Sequence, residues 1–467
     1  MALISEFKIP FSSGSAISLP RNKSSKPVLS VLLGENGTRK SLILRKILDD
    51  TLTSYLADDL IDMYMSSHST IFYKLPEKMI AISAAPTDRF PSKPQIREFS
   101  SKYNLPFYRY LGPRTSRNII SRNHSVLELL MAILEFPERV IKKSKFIRSI
   151  AEKTGMPDSL VFAINDNSAN NKFSRMNASD KIESFDKVID RISKMPKWLK
   201  TKIKNQVFYE ELENYYRELN IRIVSESVGY TSDRAPTGRW SFAVHIDLKN
   251  GSVDIHGASA AALFWGITLG ILNLPVLFMG TDEHKNIHAP SAGQWGLFSS
   301  LVSLCLNAGD NTLILIDEPE NTLHPRWQRE YLGDIMNSLE GTKGCHVFVA
   351  THSPHIASSL RYGHDHLVRL SHIGNDVYGQ FLDAPDGWTV NDVLENAFEL
   401  PTTRSVGLSQ LVDRALGIIA NGVEENKKKL EVVAEKLSKY LDILPEDDIG
   451  RRIIQSILNI SEKVNKN

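Results

Sequence analysis

The sequence predicts an α/β fold: a mixed sheet in one head, interrupted by a helical insertion and followed by a helical C-terminal tail. Three observations predict it. Near-continuous apolar runs at Pro27–Gly34, Thr312–Ile316 and His346–Ala350 each end in a loop and lead into a helical pattern, as buried parallel strands do. Phe242, Val244, Ile246 and Leu248 alternate with other residues before Asn250-Gly251, which reads as a hairpin. From about Ser125 to Leu219 the chain turns helical, with Ile182, Phe185, Ile189 and Ile192 on one face and Phe208, Leu212, Tyr215 and Leu219 on another.

Each element follows from local pattern. Leu3–Phe11 and Ala16–Leu19 are short strands around a Ser-Ser-Gly turn, and Pro27–Gly34 is a buried strand closed by glycine. Ser41–Leu52 has helical composition. Lys78–Ala85, ended by Pro86, is a second core strand. The helical stretch is punctuated by Gly155-Met156-Pro157 and by the polar run Asn165–Asn177, and no apolar heptad persists long enough for a coiled coil. Ala258–Gly280, broken by Asn273 and Pro275, reads as a buried helix followed by a strand and not as a membrane span. Beyond Trp388 the tail is helical, with one stripe at Leu430, Val433, Leu437 and Tyr440 and another at Ile453, Ile457 and Ile460.

Composition narrows the function classes. A chain of 467 residues holds about two to four structural units. Its 42% hydrophobic and 24% charged content is ordinary globular composition and excludes wholesale disorder. The net charge of +2 excludes a globally polybasic nucleic-acid binder. Local basic clusters remain at Lys142–Lys145, Lys197–Lys204 and Lys427–Lys429, read first as solvated helix faces; the second, around Trp198, is the candidate for nucleic-acid contact by phosphate neutralisation and stacking. Cys305 and Cys345 cannot build a disulfide framework, and the first residues lack a basic-then-apolar leader. The expected location is cytoplasmic, with no membrane association.

Four motifs carry chemistry. Gly34, Glu35, Asn36, Gly37, Thr38, Arg39, Lys40 and Ser41 lie at a strand-to-helix turn and fit the phosphate-binding pattern G-x-x-x-x-G-K-[ST], except that Arg39 stands at the last glycine. Backbone N–H groups there face an anion, Lys40 neutralises β/γ-phosphates and Ser41 binds Mg²⁺. Arg39 must either point outward or add a guanidinium contact of its own. Leu313–Pro325 is an apolar strand ending in Asp317 and Glu318: Asp317 suits a Mg²⁺ shell and Glu318 a general base for water. Val347–His355 ends its strand in Thr351-His352-Ser353, which puts His352 where open α/β sheets bind ligands and where an imidazole reaches a γ-phosphate. Pro290–Gly296 carries Ser291, Gly293 and Gln294 about 20 residues before the carboxylates, at the start of a helix.

Together the four motifs resemble the nucleotide-binding head of the ABC ATPase superfamily, an ABC-type P-loop ATPase. The Asp317–Pro325 run is closer to soluble SMC-like and overcoming-lysogenization-defect-type ATPases than to transporters, and similar to ATPase subunits of anti-phage defence systems such as Septu or PARIS. The resemblance implies a head in two parts: residues 1–120 with the Walker A turn, and 236–387 with signature, Walker B and His switch. It implies an insertion at 121–235 and a helical C-terminal region at 388–467. It also implies ATP and Mg²⁺ as ligands, and a head-to-tail homo-oligomer in which Ser291 and Gly293 complete the partner copy's site, with Asn321 near the seam. Gln95 is a candidate coupling glutamine, and Phe7 or Phe11 a candidate for stacking on adenine. Only 97 residues follow Leu370, without a nuclease pattern, so an effector such as a nuclease is expected on another chain. His284, His288, His364 and His366 are read as loop histidines and not as metal ligands. The alternatives are a DNA-binding repair ATPase of the recombination-mediator type and a non-hydrolysing nucleotide sensor.

Overall fold

The computed structural model describes residues 3–12, 16–20, 25–56, 70–85, 88–91, 108–114, 122–164, 242–268, 272, 275–279, 290–361, 364–383, 387–399, 404–423, 426–446 and 448–466. The chain forms two compact units, Met1–Trp388 and Thr389–Asn467.

The first unit is built on a seven-stranded mixed sheet. Its strands are β3 (Val28–Gly34), β5 (Lys78–Ser83), β6 (Tyr108–Leu111), β11 (Thr312–Asp317), β12 (His346–Thr351), β13 (Asp365–Ile373) and β14 (Asp376–Asp383), in the order β14-β13-β3-β12-β11-β5-β6. All neighbours are parallel except the β13–β14 hairpin at one edge. β3 and β11 are buried along their whole length, which is why their sequences read as unbroken apolar runs. Helix α1 (Lys40–Leu56) lays Ile43, Leu44, Ile47 and Leu48 on the sheet against Leu32, Leu315 and Phe348. A small antiparallel sheet of β1 (Ile4–Phe7), β2 (Ile17–Ser18) and β4 (Thr70–Phe72) joins the same core through Leu3, Ile4 and Phe7. This is the mixed α/β sheet that the sequence predicts.

A third, antiparallel sheet runs β10-β7-β8-β9, from β7 (Ser159–Ile164), β8 (Phe242–Asp247), β9 (Ser252–His256) and β10 (Val276–Met279). The β8–β9 pair is the expected hairpin; Asp247 caps the turn by accepting from Lys249 and Asn250 N–H groups, and Gly251 supplies a φ of +71°. Strand β7 corrects the helical reading of this region. Helices α2 (Arg122–Glu135), α3 (Pro137–Lys142) and α4 (Ser144–Thr154) are present, but Gly155 ends α4 in the left-handed region and the chain then pairs with β8 and β10. The run SLVFAI after a Gly-x-Pro stop carries the β-branched and aromatic character of a strand. The helices expected at 182–192 and 208–219 lie outside the described residues.

The apolar segment before β10 forms α5 (Ala260–Thr268). Helix α6 (Ala292–Asn307) packs on α2 and α4, and Trp295 Nε1 donates to Ser125 Oγ at 2.7 Å. Two more helices, α7 (Pro325–Ser338) and the single turn α8 (Pro354–Ala357), follow β11 and β12.

The second unit has α9 (Val390–Asn396), capped by a reciprocal Thr389–Asp392 box, and a bundle of α10 (Val406–Ala420), α11 (Lys427–Ser438) and α12 (Ile449–Lys466). Leu408, Ala415, Leu430, Val433, Leu437, Ile454 and Ile457 form its core. The α12 stripe is shifted from the expected one: Ile454 is buried, whereas Ile453 is 38% exposed. Among the described residues no helix is long and apolar enough to cross a membrane.

Candidate functional site

Parallel register brings the C-terminal ends of four strands to one edge of the sheet. Asp317 pairs with Ser83 on one side and Ala350 on the other, and Thr351 pairs with Leu33. Ligands of open α/β sheets bind at this edge. Gly34, Asp317 and His352 therefore meet although they lie on three distant segments.

The turn from β3 into α1 wraps the Lys40 ammonium. Its Nζ donates to the Gly34 and Glu35 carbonyls, both at 2.8 Å, and lies 3.0 Å from His352 Nδ1. Burial pulls the Lys40 pKa down to about 8 against the charges of Glu318, Glu320 and Asp317. A Cβ on Gly34 would come within 2.5 Å of the Leu370 carbonyl oxygen, so only glycine fits where β3 leaves the sheet beside β13. Gly37 takes a φ of +85°, and Thr38 Oγ1 closes the turn on the Glu35 carbonyl at 2.7 Å. The Asn36 position lies at the tip of this turn.

Ser41 Oγ donates to Asp317 Oδ1 at 2.9 Å. Burial pushes the Asp317 carboxyl up to about 7, opposed by the Ser41 hydrogen bond. A hydroxyl and a carboxylate at this spacing are the hard oxygen donors that Mg²⁺ takes, with nucleotide phosphates and water supplying the remaining ligands. This donor set fits that ion; among the described residues no group of three or more His, Cys, Asp or Glu could hold a metal by itself.

Glu318 sits at a left-handed φ of +47°, which turns its side chain away from the strand. Its Oε1 is 3.1 Å from His352 Nε2, and its Oε2 accepts from Asn321 Nδ2 at 2.9 Å. Burial raises its pKa, but those two hydrogen bonds and the His352 and Lys40 charges outweigh it and hold Glu318 below its ordinary value. The His352 ring bridges the two groups: Nε2 faces Glu318, and Nδ1 lies 3.0 Å from both Lys40 Nζ and the Gly34 carbonyl oxygen. The His352 backbone N–H donates to Glu320 Oε1 at 2.5 Å. Glu320 and Ser83, whose hydroxyl donates to the Asp317 carbonyl at 3.3 Å, were not singled out in the sequence. Their positions, the second acid of Asp-Glu-Pro-Glu and the last residue of a core strand, were the available signals.

Arg39 points outward. Its φ is +64°, in the left-handed region where the motif has glycine, and Nη1 donates to the Pro10 carbonyl at 3.0 Å and to the Phe11 carbonyl. Asp376 lies 3.7 Å away. The guanidinium thus leaves the phosphate side of the turn clear. Of the two aromatic candidates, Phe7 is excluded: it is fully buried and packs edge-on to Phe348 at 6.0 Å. Phe11 is 86% exposed.

Ser291 caps α6. It accepts from Gln294 N at 3.2 Å while the Gln294 side chain accepts from Ser291 N at 2.8 Å. A Cβ on Gly293 would lie 2.3 Å from the Thr322 carbonyl oxygen, so this glycine lets α6 approach the turn after Glu318. Among the described residues, no hydrogen bond joins Ser291 or Gln294 to Lys40, Ser41 or Asp317. The same-chain cluster therefore comprises Lys40, Ser41, Asp317, Glu318 and His352, while the α6 residues face elsewhere.

Other sequence candidates sort clearly. Gln95, His284, His288 and Lys197–Lys204 with Trp198 lie outside the described residues. His366 is a strand residue of β13, buried against Ser30 at 3.2 Å. Lys143 donates to the Ser338 and Glu340 carbonyls at the end of α7, so that basic cluster is partly structural.

Residues 288–358 match the family model described as "AAA domain, putative AbiEii toxin, Type IV TA system". That stretch holds the start of α6, Asp317, Glu318 and His352. The chain is also 34% identical over 137 residues to the Septu protein PtuA of Bacillus thuringiensis, a match covering 28% of this chain and 32% of that protein. The chain resembles ATPases of anti-phage defence systems. It spans about a third of the length of that curated relative.

Proposed function

We propose that this chain is the ATP-binding and ATP-hydrolysing subunit of a bacterial anti-phage defence complex, sensing a phage cue and controlling a separate effector, a nuclease on another chain. The convergence of Lys40, Ser41, Asp317, Glu318 and His352 within hydrogen-bond reach at one sheet edge carries the reading. The defence role rests on the resemblance to the Septu protein and to the AbiEii-type domain.

On this reading the N–H groups of Gly34–Ser41 hold the triphosphate, and Lys40 leaves its loop carbonyls to neutralise β- and γ-oxygens. Mg²⁺, when bound, neutralises charge between those phosphates; Ser41 and Asp317 would hold it. Glu318 accepts the proton of the attacking water, and Asn321 and His352 keep that carboxylate ionised and aimed. His352 also reaches the γ-phosphate through its ring. Ser291, Gly293 and Gln294, on the exposed start of α6, complete the site of a second copy in a head-to-tail dimer. The segment at 121–235 and the region after 388 serve as effector or nucleic-acid surfaces.

Phosphate release by the purified chain with Mg²⁺ and ATP tests the chemistry, and phage plating with and without the neighbouring reading frame tests the role. Tight ATP binding without turnover, unchanged by Glu318→Gln, would replace hydrolysis with nucleotide sensing. DNA-stimulated turnover of the isolated chain would favour a repair ATPase.

A further inference from the structure

Strand β12 ends at Thr351, and the two residues that follow it are held by a single segment elsewhere in the chain. The His352 backbone N–H donates to Glu320 Oε1 at 2.5 Å. The Ser353 hydroxyl donates to Gln328 Oε1 at 2.6 Å, and Gln328 Nε2 donates in turn to the Leu323 carbonyl at 2.9 Å. Both ties lead to the stretch just after Glu318. The turn Pro319–Thr322 is itself closed by the Leu323 N–H on the Glu320 carbonyl at 3.0 Å. Because the peptide unit is planar, fixing the His352 N–H fixes the plane from which its side chain departs.

Glu320 is poorly suited to a purely structural place. Its Oε2 is buried and has no hydrogen-bond partner among the described residues. A buried carboxyl oxygen without a donor costs stability. The other oxygen holds the His352 N–H, and the ring beyond it lies 3.1 Å from Glu318 Oε1 on one side and 3.0 Å from Lys40 Nζ on the other. The Glu320 charge also bears on Lys40, as those of Glu318 and Asp317 do.

We propose that Glu320 is a positioning residue: its carboxyl clamps the His352 backbone so that the imidazole stays between Glu318 and the phosphate turn. The proposal rests on the hydrolysis reading above. It separates the two glutamates of Asp-Glu-Pro-Glu: Glu318 meets the attacking water, whereas Glu320 acts on the reaction only through His352.

Three substitutions separate reach from charge. Glu320→Gln keeps an acceptor at the same reach and drops the charge. Glu320→Asp keeps the charge and falls short of the N–H. Glu320→Ala loses both. Steady-state hydrolysis of Mg²⁺-ATP by the full chain falls about 10–100-fold in kcat for Glu320→Ala and Glu320→Asp, with KM within about twofold, and stays within about threefold of wild type for Glu320→Gln. In a His352→Ala background, Glu320→Ala removes nothing further. Glu320→Asp serves if Glu320→Ala does not fold.

A second readout needs no nucleotide. The ¹³C-labelled imidazole resonance that disappears in His352→Ala marks His352 among the 13 histidines. It shifts or broadens in Glu320→Ala and Glu320→Asp and keeps its place in Glu320→Gln. Equal losses in Glu320→Gln and Glu320→Ala assign the effect to charge and overturn the proposal. So does a full additional loss in the His352→Ala background, or a His352 resonance indifferent to all three substitutions. Wild-type protein that binds Mg²⁺-ATP without turnover overturns the hydrolysis reading, and the imidazole resonance then decides the positioning on its own.

Discussion

Ser41 and Asp317, 276 residues apart in the chain, share a 2.9 Å hydrogen bond at the end of the central strands. The pair places a carboxyl where burial opposes its ionisation, in exchange for two oxygens aimed at one cation. Asp317→Asn removes the buried charge and keeps an acceptor for Ser41. Its expected effect is a gain of roughly 1–3 kcal/mol in stability without ligand, together with loss of the thermal shift that Mg²⁺-ATP gives the wild type. Paired melting curves check both, and a variant that is destabilised without ligand contradicts the first.

Glu318 and His352 act as one unit across their 3.1 Å contact. Glu318→Gln should lower turnover by about 10²–10⁴-fold with ATP still bound. His352→Ala should lower it too, and the double variant should lose far less than the product of the two effects, because each substitution already breaks the shared contact. Steady-state rates of the four proteins decide this.

Gly293 and Gly296 lie on the same helix and differ in surroundings. A Cβ at Gly293 meets the Thr322 carbonyl at 2.3 Å, whereas at Gly296 the nearest atom is 3.9 Å away. Gly293→Ala should cost about 1–3 kcal/mol and disturb turnover through the turn after Glu318, while Gly296→Ala should be tolerated. Denaturant midpoints of the two variants make the comparison.

His346 is fully buried, with Ser30 Oγ at 3.0 Å from Nε2. Burial holds its pKa well below the ordinary value and does the same, less strongly, for His366. A depressed histidine stays uncharged in the fold while the unfolded chain takes up protons. Stability from this pair is therefore full above about pH 6.5 and is lost as pH falls below it. Each contributes a slope of up to about 1.4 kcal/mol per pH unit, and His346→Gln should flatten the acid limb by about one proton. Unfolding free energies measured between pH 7 and 5 give the slope.

The central strands and the site were legible because both depend on local pattern. A strand buried on two faces must be apolar throughout, and a phosphate turn must carry its lysine and hydroxyl in fixed order, so Val28–Ser41 and Thr312–Glu318 could be read directly. Strand β7 was hidden because five apolar residues in a row fit either period, and its partners β8 and β10 lie far along the chain. Phe7 and Phe11 looked alike in sequence; only the pairing of β1 with β2 and β4 sends one inward and leaves the other outside. The Arg39 side chain could not be aimed from sequence either, since its acceptors are backbone carbonyls that carry no residue-type signal.

Strand β3 sits between β12 and β13 and pairs with nothing else. Its Ser30 must await His346, 316 residues later, before the surrounding sheet can close. At ribosomal elongation speed that interval is roughly 15–60 s, during which an edge of Val, Leu and Leu emerges with no partner. Newborn chains are thus exposed to mispairing with each other for most of their synthesis, and their yield in a cell should respond strongly to chaperone supply and to translation rate.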